Sequence, residues 1–384
     1  MNRPRRRGCR GRWLGPARVW LWAGGLFVLG QALLTVGILS GQLPVHDPLY
    51  QTRAQLLLRR WQSLPEPTYK VLVLGSSRVM LALDAQAVCR ADSSPPVEVF
   101  NFGIPASGPL THNLYLRRLL ACGVRPDWVI CDVVPGFLAG QVTPAMEANW
   151  LHAERLLSRE EAQRLRGFGL DLGTPPAACC CSWLLPSLAY RKQLLNLYAP
   201  VWVPLGQRLH PLLTVDAAGS QAPLQLDPAP EQAAIRLRQT RDQYARYLDG
   251  LRVGGPSYAA LRDTAALCQQ LGIACSVLLM PESHDYRAWY AAESLRDLDD
   301  SLERLRQQAG VTIIDARDWL DDADFADGHH VQPSGNRRFT ARLGQFIHAH
   351  VPPHRRLAGA KVDARAEAEA DTEAEVVAPS GKGG

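Results

Sequence analysis

The sequence predicts an α/β fold, in which a parallel sheet lies between two layers of helices and follows one N-terminal transmembrane helix. Two observations lead to this prediction. A long uncharged apolar run lies near the N-terminus, and short apolar runs alternate with helical patterns over most of the remaining chain. With 384 residues, 47% of them hydrophobic, the chain is long enough to bury one large core.

The apolar run extends from Val19 to Ser40 and contains no charged residue. A helix of about 20 residues spans the hydrocarbon core of a bilayer, and Trp20 and Trp22 stand at the end where amphipathic rings favour the interface. The run is longer than the apolar part of a signal peptide and lacks a good cleavage site. These features favour an uncleaved anchor over a cleaved signal or a buried core helix.

Seven arginines precede this run, whereas the first acidic residue is Asp47. Because basic residues stay on the cytoplasmic side of a membrane span, we predict a cytoplasmic N-terminus, an extracytoplasmic main domain and the lipid bilayer as a partner. The net charge of +5 belongs to this tip, so no nucleic acid is expected as a partner. The arginines of the tip are Arg3, Arg5, Arg6, Arg7, Arg10, Arg12 and Arg18.

The C-terminal residues have almost no large apolar side chains, so they bury too little surface to offset the entropy of ordering. Together with the anchor, this composition divides the chain into five predicted parts. These are a cytoplasmic basic tip (1–18), a transmembrane anchor (19–40), a linker (41–67), an α/β domain (68–353) and a disordered tail (354–384).

Five apolar runs predict buried strands, and amphipathic patterns predict helices between them. The predicted strands are Val71–Leu74, Val97–Phe100, Trp128–Val134, Ala274–Met280 and Val311–Ile314. The predicted helices are Leu110–Ala121, Tyr258–Leu271, Leu295–Gln308 and Ser334–His350. This alternation favours a parallel sheet covered on both faces. The long stretch 137–256 is predicted to be an insertion that forms a cap or subdomain.

The nine cysteines are an odd number, and Cys179, Cys180 and Cys181 are consecutive. An oxidising compartment would pair some of them and leave at least one free or joined to another chain. Which of them pair stays open. Their spacing fits no zinc-site pattern, and we predict neither a metal nor a cofactor.

Residue types suited to catalysis follow the predicted strands. Because the active sites of parallel sheets lie beyond the carboxyl ends of the strands, these residues are expected to meet. Ser77 follows the first strand, and a loop with Ala106 and Gly108 follows the second. Asp327 and His330 precede the last helix. A serine nucleophile needs a base, the base needs an orienting carboxylate, and small residues let backbone N–H groups approach an oxyanion.

These motifs resemble those of the SGNH (GDSL-type) hydrolases, a family of serine esterases and acyltransferases with a flavodoxin-like fold. The resemblance rests on Gly-x-Ser after the first strand and on Asp-x-x-His, followed by Val331 and Gly335, before the last helix. It implies that Ser77 is the nucleophile, His330 the base and Asp327 the residue that orients the base. The resemblance covers most of the α/β domain, but its motifs lie only at the two ends.

The chain departs from the family pattern at two positions. Ser76 replaces an aspartate, which resembles membrane-anchored relatives that act on cell-envelope polymers, such as the alginate O-acetyltransferase and D-alanyl-transfer proteins. Gly136 replaces the asparagine that supplies one oxyanion donor. By resemblance, the remaining donors are the backbone N–H groups of Ser77 and of Ala106 or Gly108.

Other residues near the strand ends have two interpretations. Arg78, Asp132 and Glu282 are possible substrate contacts. The structural alternatives are an ion pair for Arg78, a core position for Asp132 and a helix N-terminus for Glu282. His329 is a rival to His330 as the base, and the two histidines together are an alternative metal site. The candidate nucleophile also has a structural alternative, because serine is common in turns and at helix N-caps.

Two functions stay open. The first is a membrane-anchored serine esterase or O-acyltransferase that acts on an ester-linked acyl group of an envelope glycan or lipid, through an acyl-serine intermediate. A membrane protein that donates the acyl group is a further possible partner. The alternative is a catalytically silent SGNH-like protein that binds glycan or serves as a scaffold. The set of Ser77, Asp327 and His330 favours the first function, and Gly136 favours the second.

Overall fold

A computed structural model of the chain describes most of the residues between the N-terminal tip and the C-terminal tail. Nearly all of the predicted cytoplasmic tip, the whole predicted disordered tail and the three consecutive cysteines lie outside the described residues. The described residues are 16–40, 43, 45, 47–90, 93–140, 147, 157–172, 184–223 and 229–352.

A five-stranded parallel sheet forms the centre of the α/β part, with the strand order β2-β1-β3-β4-β5. The predicted α/β fold with a parallel sheet is confirmed. The observed strand ends differ from the predicted ones by up to three residues; β3, for example, ends before Val133 and Val134. The strands are β1 (Tyr69–Gly75), β2 (Val97–Gly103), β3 (Trp128–Asp132), β4 (Ala274–Leu279) and β5 (Thr312–Asp315).

Helices cover both faces of this sheet, because successive residues of a strand point to opposite faces and both sets are apolar. In β1, Leu72 packs in one core cluster with Leu116, and Val73 packs in another with Phe339. The helices are α1 (Pro16–Leu39), α2 (Pro48–Gln62), α3 (Ser77–Ala82), α4 (Ala85–Val88), α5 (Pro109–Ala121), α6 (Arg159–Gly167), α7 (Pro186–Ala189), α8 (Arg191–Tyr198), α9 (His210–Leu213), α10 (Pro230–Leu248), α11 (Gly255–Gln270), α12 (His284–Arg287), α13 (Ala292–Ala309) and α14 (Pro333–His350).

The stretch predicted as a linker contains the helix α2. Tyr50, Ala54, Leu57 and Trp61 recur at helical spacing along it and are buried in the core cluster on one face of the sheet. The ring of Tyr50 stacks on that of Tyr115 at 4.8 Å. An apolar stripe of this kind stabilises a helix only when a partner surface covers it, and the partner lies more than 50 residues further along the chain.

The chain divides into two compact units. One comprises Met1–Pro48 and Gly173–His210, and the other comprises Leu49–Leu172 and Pro211–Gly384. The predicted insertion therefore contributes to both units. Within the described residues, one helix is long and apolar enough to cross a membrane, namely the Arg18–Leu39 part of α1, with a mean hydropathy of 1.8.

Candidate active site

Ser77 lies at the point where β1 turns into α3. Ser76 is the N-cap of α3, and its Oγ accepts a hydrogen bond from the Arg78 N–H at 3.2 Å. A Cβ atom added to Gly75 would lie 2.3 Å from the Cβ of Val79, so only glycine fits this tight turn. The turn places Ser77 as the first residue of the helix, beyond the carboxyl end of the strand.

The loop with Asp327 and His330 is held by its own hydrogen bonds. Asp327 Oδ1 accepts from the His330 N–H at 2.8 Å, and the Ala326 N–H donates to the His330 carbonyl at 2.8 Å. Gly328 has a φ of 94°, a conformation that favours glycine, and its carbonyl accepts from the Ser283 N–H. The spacing Asp-Gly-x-His therefore brings the carboxylate next to the imidazole.

The structure brings the three residues of the predicted triad together, although 253 residues separate Ser77 from His330. Ser77 Oγ lies 2.8 Å from His330 Nε2, and His330 Nδ1 lies 2.7 Å from Asp327 Oδ2. The side chains of His330 and Asp327 keep 20% and 17% of their surface exposed. This geometry is that of a serine, its general base and the carboxylate that orients the base.

The charges of the site support the same roles. Burial by itself would raise the pKa of Asp327, but the hydrogen bond from His330 and the nearby histidines lower the pKa below its usual value. Asp327 therefore stays a carboxylate, and its Oδ2 accepts a hydrogen bond from His330 Nδ1–H. In a neutral imidazole this leaves Nε2 as the acceptor that faces the Ser77 hydroxyl.

His329, the rival base, is buried between aromatic rings. Its ring centroid lies 5.0 Å from that of Tyr244 and 5.6 Å from that of Tyr286. Burial, and then the neighbouring His330, lower the pKa of His329 well below the usual value, so this ring is neutral. Ligand atoms of Asp327, His329 and His330 lie within 4.8 Å of one another, as a metal site requires. The Asp327–His330 hydrogen bond at 2.7 Å already engages one carboxylate oxygen and one ring nitrogen of this group.

The predicted oxyanion donors lie at the start of α3 and in the loop after β2. The Ile104 N–H and the Ser107 hydroxyl both donate to the Gly75 carbonyl, at 2.8 and 2.6 Å, which ties this loop to the end of β1. Ala106 has a φ of 56°, a strained value for a residue with a side chain. A Cβ atom on Gly108 would lie 2.5 Å from the Phe137 ring, so this position is restricted to glycine.

The position of the usual asparagine lies in a short 3-10 helix, Pro135–Leu138, where Gly136 is packed under α10. A Cβ atom on Gly136 would lie 3.4 Å from atoms of Tyr247 and Leu248. Two described asparagine amides near α3 are bound to backbone carbonyls, since Asn101 donates to the Val79 and Leu83 carbonyls and Asn336 donates to the Leu81 carbonyl.

Asp132 anchors the N-terminus of α3. Its Oδ2 accepts from the Ser76 N–H at 3.0 Å and from the Ser76 hydroxyl at 2.5 Å. Burial raises the pKa of Asp132. Ser76, which stands where the family pattern has an aspartate, thus pairs with an aspartate on the neighbouring strand.

Arg78 and Glu282 form a buried ion pair beside Ser77. Arg78 Nη2 lies 3.5 Å from Glu282 Oε1 and donates to the carbonyls of Met280 and Pro281 at 3.0 and 2.7 Å. The Tyr290 hydroxyl donates to Glu282 Oε1 at 2.9 Å. Burial raises the pKa of Glu282, and the charge of Arg78 opposes this rise.

The burial of these groups argues against one of the predictions. Arg78, Asp132 and Glu282, which the sequence offers as possible substrate contacts, are only 2%, 1% and 0% exposed. Each of the three side chains makes at least one hydrogen bond to another protein group, as a charge in the interior requires. An ion pair for Arg78 and a core position for Asp132 describe the structure better than substrate contact does. Glu282 belongs to the same buried network.

A helix from the insertion covers the loop of His330, which sequence reasoning did not specify. Leu237 of α10 lies against Gly328, Arg236 Nε donates to the Ala326 carbonyl at 2.9 Å, and Tyr244 packs on His329. Leu237, Tyr244 and Leu248 recur at helical spacing, which is the signal that predicts an inward face for α10.

Neither protein-family models nor curated proteins match the chain. Among solved structures, the chain is similar to Est24, a carbohydrate acetylesterase from Sinorhizobium meliloti, with 13% identity and a TM-score of 0.30. It is also similar to the aryl esterase of M. smegmatis, with 12% identity and a TM-score of 0.29 in the inhibitor-bound form, and 14% and 0.27 in the native form. Each alignment covers 73% of this chain and 99% of the other. The function is inferred from the geometry of the site instead.

Proposed function

We propose that the chain is a membrane-anchored serine esterase or O-acyltransferase of the SGNH type. The observation that carries this proposal is the pair of hydrogen bonds from Ser77 Oγ to His330 Nε2 and from His330 Nδ1 to Asp327 Oδ2, at 2.8 and 2.7 Å. The substrate class is an ester-linked acyl group on an envelope glycan or lipid, and a membrane protein that donates the acyl group is a possible partner.

In this mechanism, His330 Nε2 takes the proton of Ser77 while Oγ forms a bond to the ester carbonyl carbon. The backbone N–H groups of Ser77 and of Ala106 or Gly108 stabilise the resulting oxyanion. The bond from the carbonyl carbon to the ester oxygen breaks, and the leaving alcohol takes the proton from His330. Water or a sugar hydroxyl then attacks the acyl-serine, with His330 again as base, so that hydrolysis or transfer regenerates Ser77.

Gly136 supports the second candidate, a catalytically silent protein that binds glycan or serves as a scaffold. An oxyanion hole that lacks one donor loses about 10²–10³-fold in rate. Gly136 has no side-chain amide, and α10 closes over it. The triad geometry outweighs this loss, because a silent protein has no need of an unstrained serine–histidine–aspartate hydrogen-bond chain.

A fluorophosphonate probe tests the proposal on the full chain in nanodiscs. Wild type should be labelled, and Ser77→Ala should lose the label because the probe bonds to an activated serine. Ser63→Ala is the matched control, since Ser63 is an exposed serine in a turn. Absence of labelling in folded wild type, or unchanged labelling in Ser77→Ala, would favour the silent alternative.

The proposed location is the cell membrane, with a cytoplasmic N-terminus and an extracytoplasmic α/β domain. The support is the arginine cluster before the apolar span of α1. A reporter that is active only outside the cytoplasm, fused after His350, should be active. Activity of a cytoplasmic reporter at the same position would contradict both the topology and the envelope substrate.

A further inference from the structure

The apolar helix α1 contains the polar residue Gln31. Gln31 lies eight residues before Leu39, the end of the helix, which corresponds to about 12 Å along the axis. At that depth a membrane-spanning helix is surrounded by hydrocarbon, where an unpaired amide is costly. Gln31 Oε1 accepts a hydrogen bond from the backbone N–H of Ser187 at 3.2 Å. Residue 187 therefore lies at the depth of Gln31.

One face of α1 is covered along its outer half. Gln31, Leu34, Thr35 and Ile38 are half-buried, whereas most of the helix surface is exposed. These positions recur at helical spacing, so they form a single stripe. The short helix α7 packs against α1, in the same compact unit. The hydrogen bond between Gln31 and Ser187 is therefore one of the contacts between α1 and α7.

The segment around this contact, residues 184–205, exposes many large apolar side chains. Seven of its large apolar side chains are between 41% and 80% exposed. So many exposed large apolar side chains within residues 184–205 favour a lipid-facing segment over one that faces water. The seven residues are Leu184, Leu188, Leu195, Tyr198, Val201, Trp202 and Leu205.

The polar groups of the segment are arranged as a membrane interface requires. Tyr198 and Trp202 are exposed aromatic residues of the kind found at the level of the headgroups, and Arg191 precedes them in the chain. Arg191 Nη1 donates to the Leu188 carbonyl at 3.1 Å, and the Tyr190 N–H donates to the Pro186 carbonyl at 2.8 Å. Backbone groups of the short helices are therefore paired within the segment, which hydrocarbon demands.

We propose that residues 184–205 form a re-entrant membrane segment. Residues 184–190 lie in the outer half of the bilayer against α1, and residues 191–205 run along the interface with their apolar side chains among the lipid acyl chains. The proposal rests on the proposed role of α1 as a membrane anchor. It adds a second lipid contact to a domain for which the sequence predicts a single one.

A photocrosslinking experiment on the full chain in phosphatidylethanolamine–phosphatidylglycerol nanodiscs tests this inference. Benzoylphenylalanine replaces one of three leucines of nearly equal exposure. These are Leu29 in α1 (54%), Leu188 in α7 (55%) and Leu271 directly after α11 (53%). Phospholipid adducts are measured by mass spectrometry after irradiation. Positions 29 and 188 should give similar yields, and position 271 should give about tenfold less, because this exposed leucine lies outside the proposed lipid-facing segments.

The three positions separate the possible failures. If position 29 gives adducts but the yield at position 188 is as low as that at position 271, the re-entrant segment is overturned and the anchor stays intact. Absence of adducts at position 29 would remove the anchor, and with it the inference. In a further variant, Gln31→Leu should reduce the adducts at position 188 several-fold, because the Ser187 N–H loses its acceptor; unchanged adducts would contradict the role assigned to Gln31.

Discussion

Two ionic networks start at neighbouring residues of α3 and differ in their access to water. From Ser77, the hydrogen bonds lead through His330 to Asp327, whose side chains stay partly exposed. From Arg78, the contacts lead to Glu282, and both side chains are sealed in the interior. Within the described residues, Arg78 Nε and Glu282 Oε2 have no hydrogen-bond partner, whereas both carboxylate oxygens of Asp327 accept hydrogen bonds. A charged side chain next to Ser77 is thus no evidence for substrate contact until its burial is known.

The largest effect is expected in the exposed network. Ser77→Ala and His330→Ala should each lower ester turnover by about 10⁴-fold or more, and the double variant should be little worse, because the two side chains act as a unit. Hydrolysis of p-nitrophenyl acetate measures the effect, with Ser63→Ala as the control. Additive losses in the double variant would show that Ser77 and His330 do not act together.

Substitutions in the buried network of Arg78 and Glu282 should change the free energy of unfolding. Arg78→Met leaves the Glu282 carboxylate without its charge partner and should lower the free energy of unfolding by about 3–5 kcal/mol, whereas Arg78→Met with Glu282→Leu should recover much of that loss. Denaturant unfolding followed by circular dichroism measures both. Arg306→Met breaks an exposed pair with Glu303 and serves as the matched control, with little change expected. An equal loss in Arg306→Met would remove the distinction between buried and exposed pairs.

The orienting carboxylate should matter less than the groups that it orients. The fold-loss of ester turnover in Asp327→Asn should be about a hundred times smaller than that in Ser77→Ala. The reason is that Asp327→Asn removes orientation and charge but leaves the nucleophile and the base. The rate of fluorophosphonate labelling should fall in the same variant without reaching zero. A loss in Asp327→Asn as large as in Ser77→Ala would give Asp327 a more direct role.

The smallest effect concerns Asp132, which belongs to the interior beneath Ser76. Burial raises the pKa of Asp132 above its ordinary value of 3.8, so the folded state holds this proton more tightly than the unfolded state does. The resulting stability is fully present below pH 3.8 and is lost as the pH rises through the pKa of the folded state.

The raised pKa of Asp132 predicts a measurable dependence of stability on pH. Asp132→Asn removes the titration, so the free energy of unfolding of wild type minus that of the variant should decrease as the pH rises above 3.8. Denaturant unfolding between acidic and neutral pH measures the difference. An increase with pH would mean that the hydrogen bonds from Ser76 outweigh burial.

The sequence was sufficient to predict the strands and the proximity of Ser77, His330 and Asp327. Each strand is a local apolar run, and Gly-x-Ser and Asp-x-x-His are local motifs whose backbone requirements, at Gly75 and Gly328, are visible in the residues themselves. Because parallel strands end at one edge of a sheet, the two distant motifs were expected to meet. The roles of Arg78 and Glu282 were not predictable, since they depend on burial.

The sequence alone therefore determined the elements whose physical cause is local: the apolar span of α1, the strands and the turns that present Ser77 and His330. Only the tertiary structure decided which polar groups are sealed, that part of the predicted linker is the helix α2, and that Ser187 pairs with Gln31. Those features depend on contacts between distant residues, 156 apart in the last case, and neither a charge nor an apolar stripe specifies its partner. Desolvation makes the partner decisive, because a buried polar group is stable only when paired.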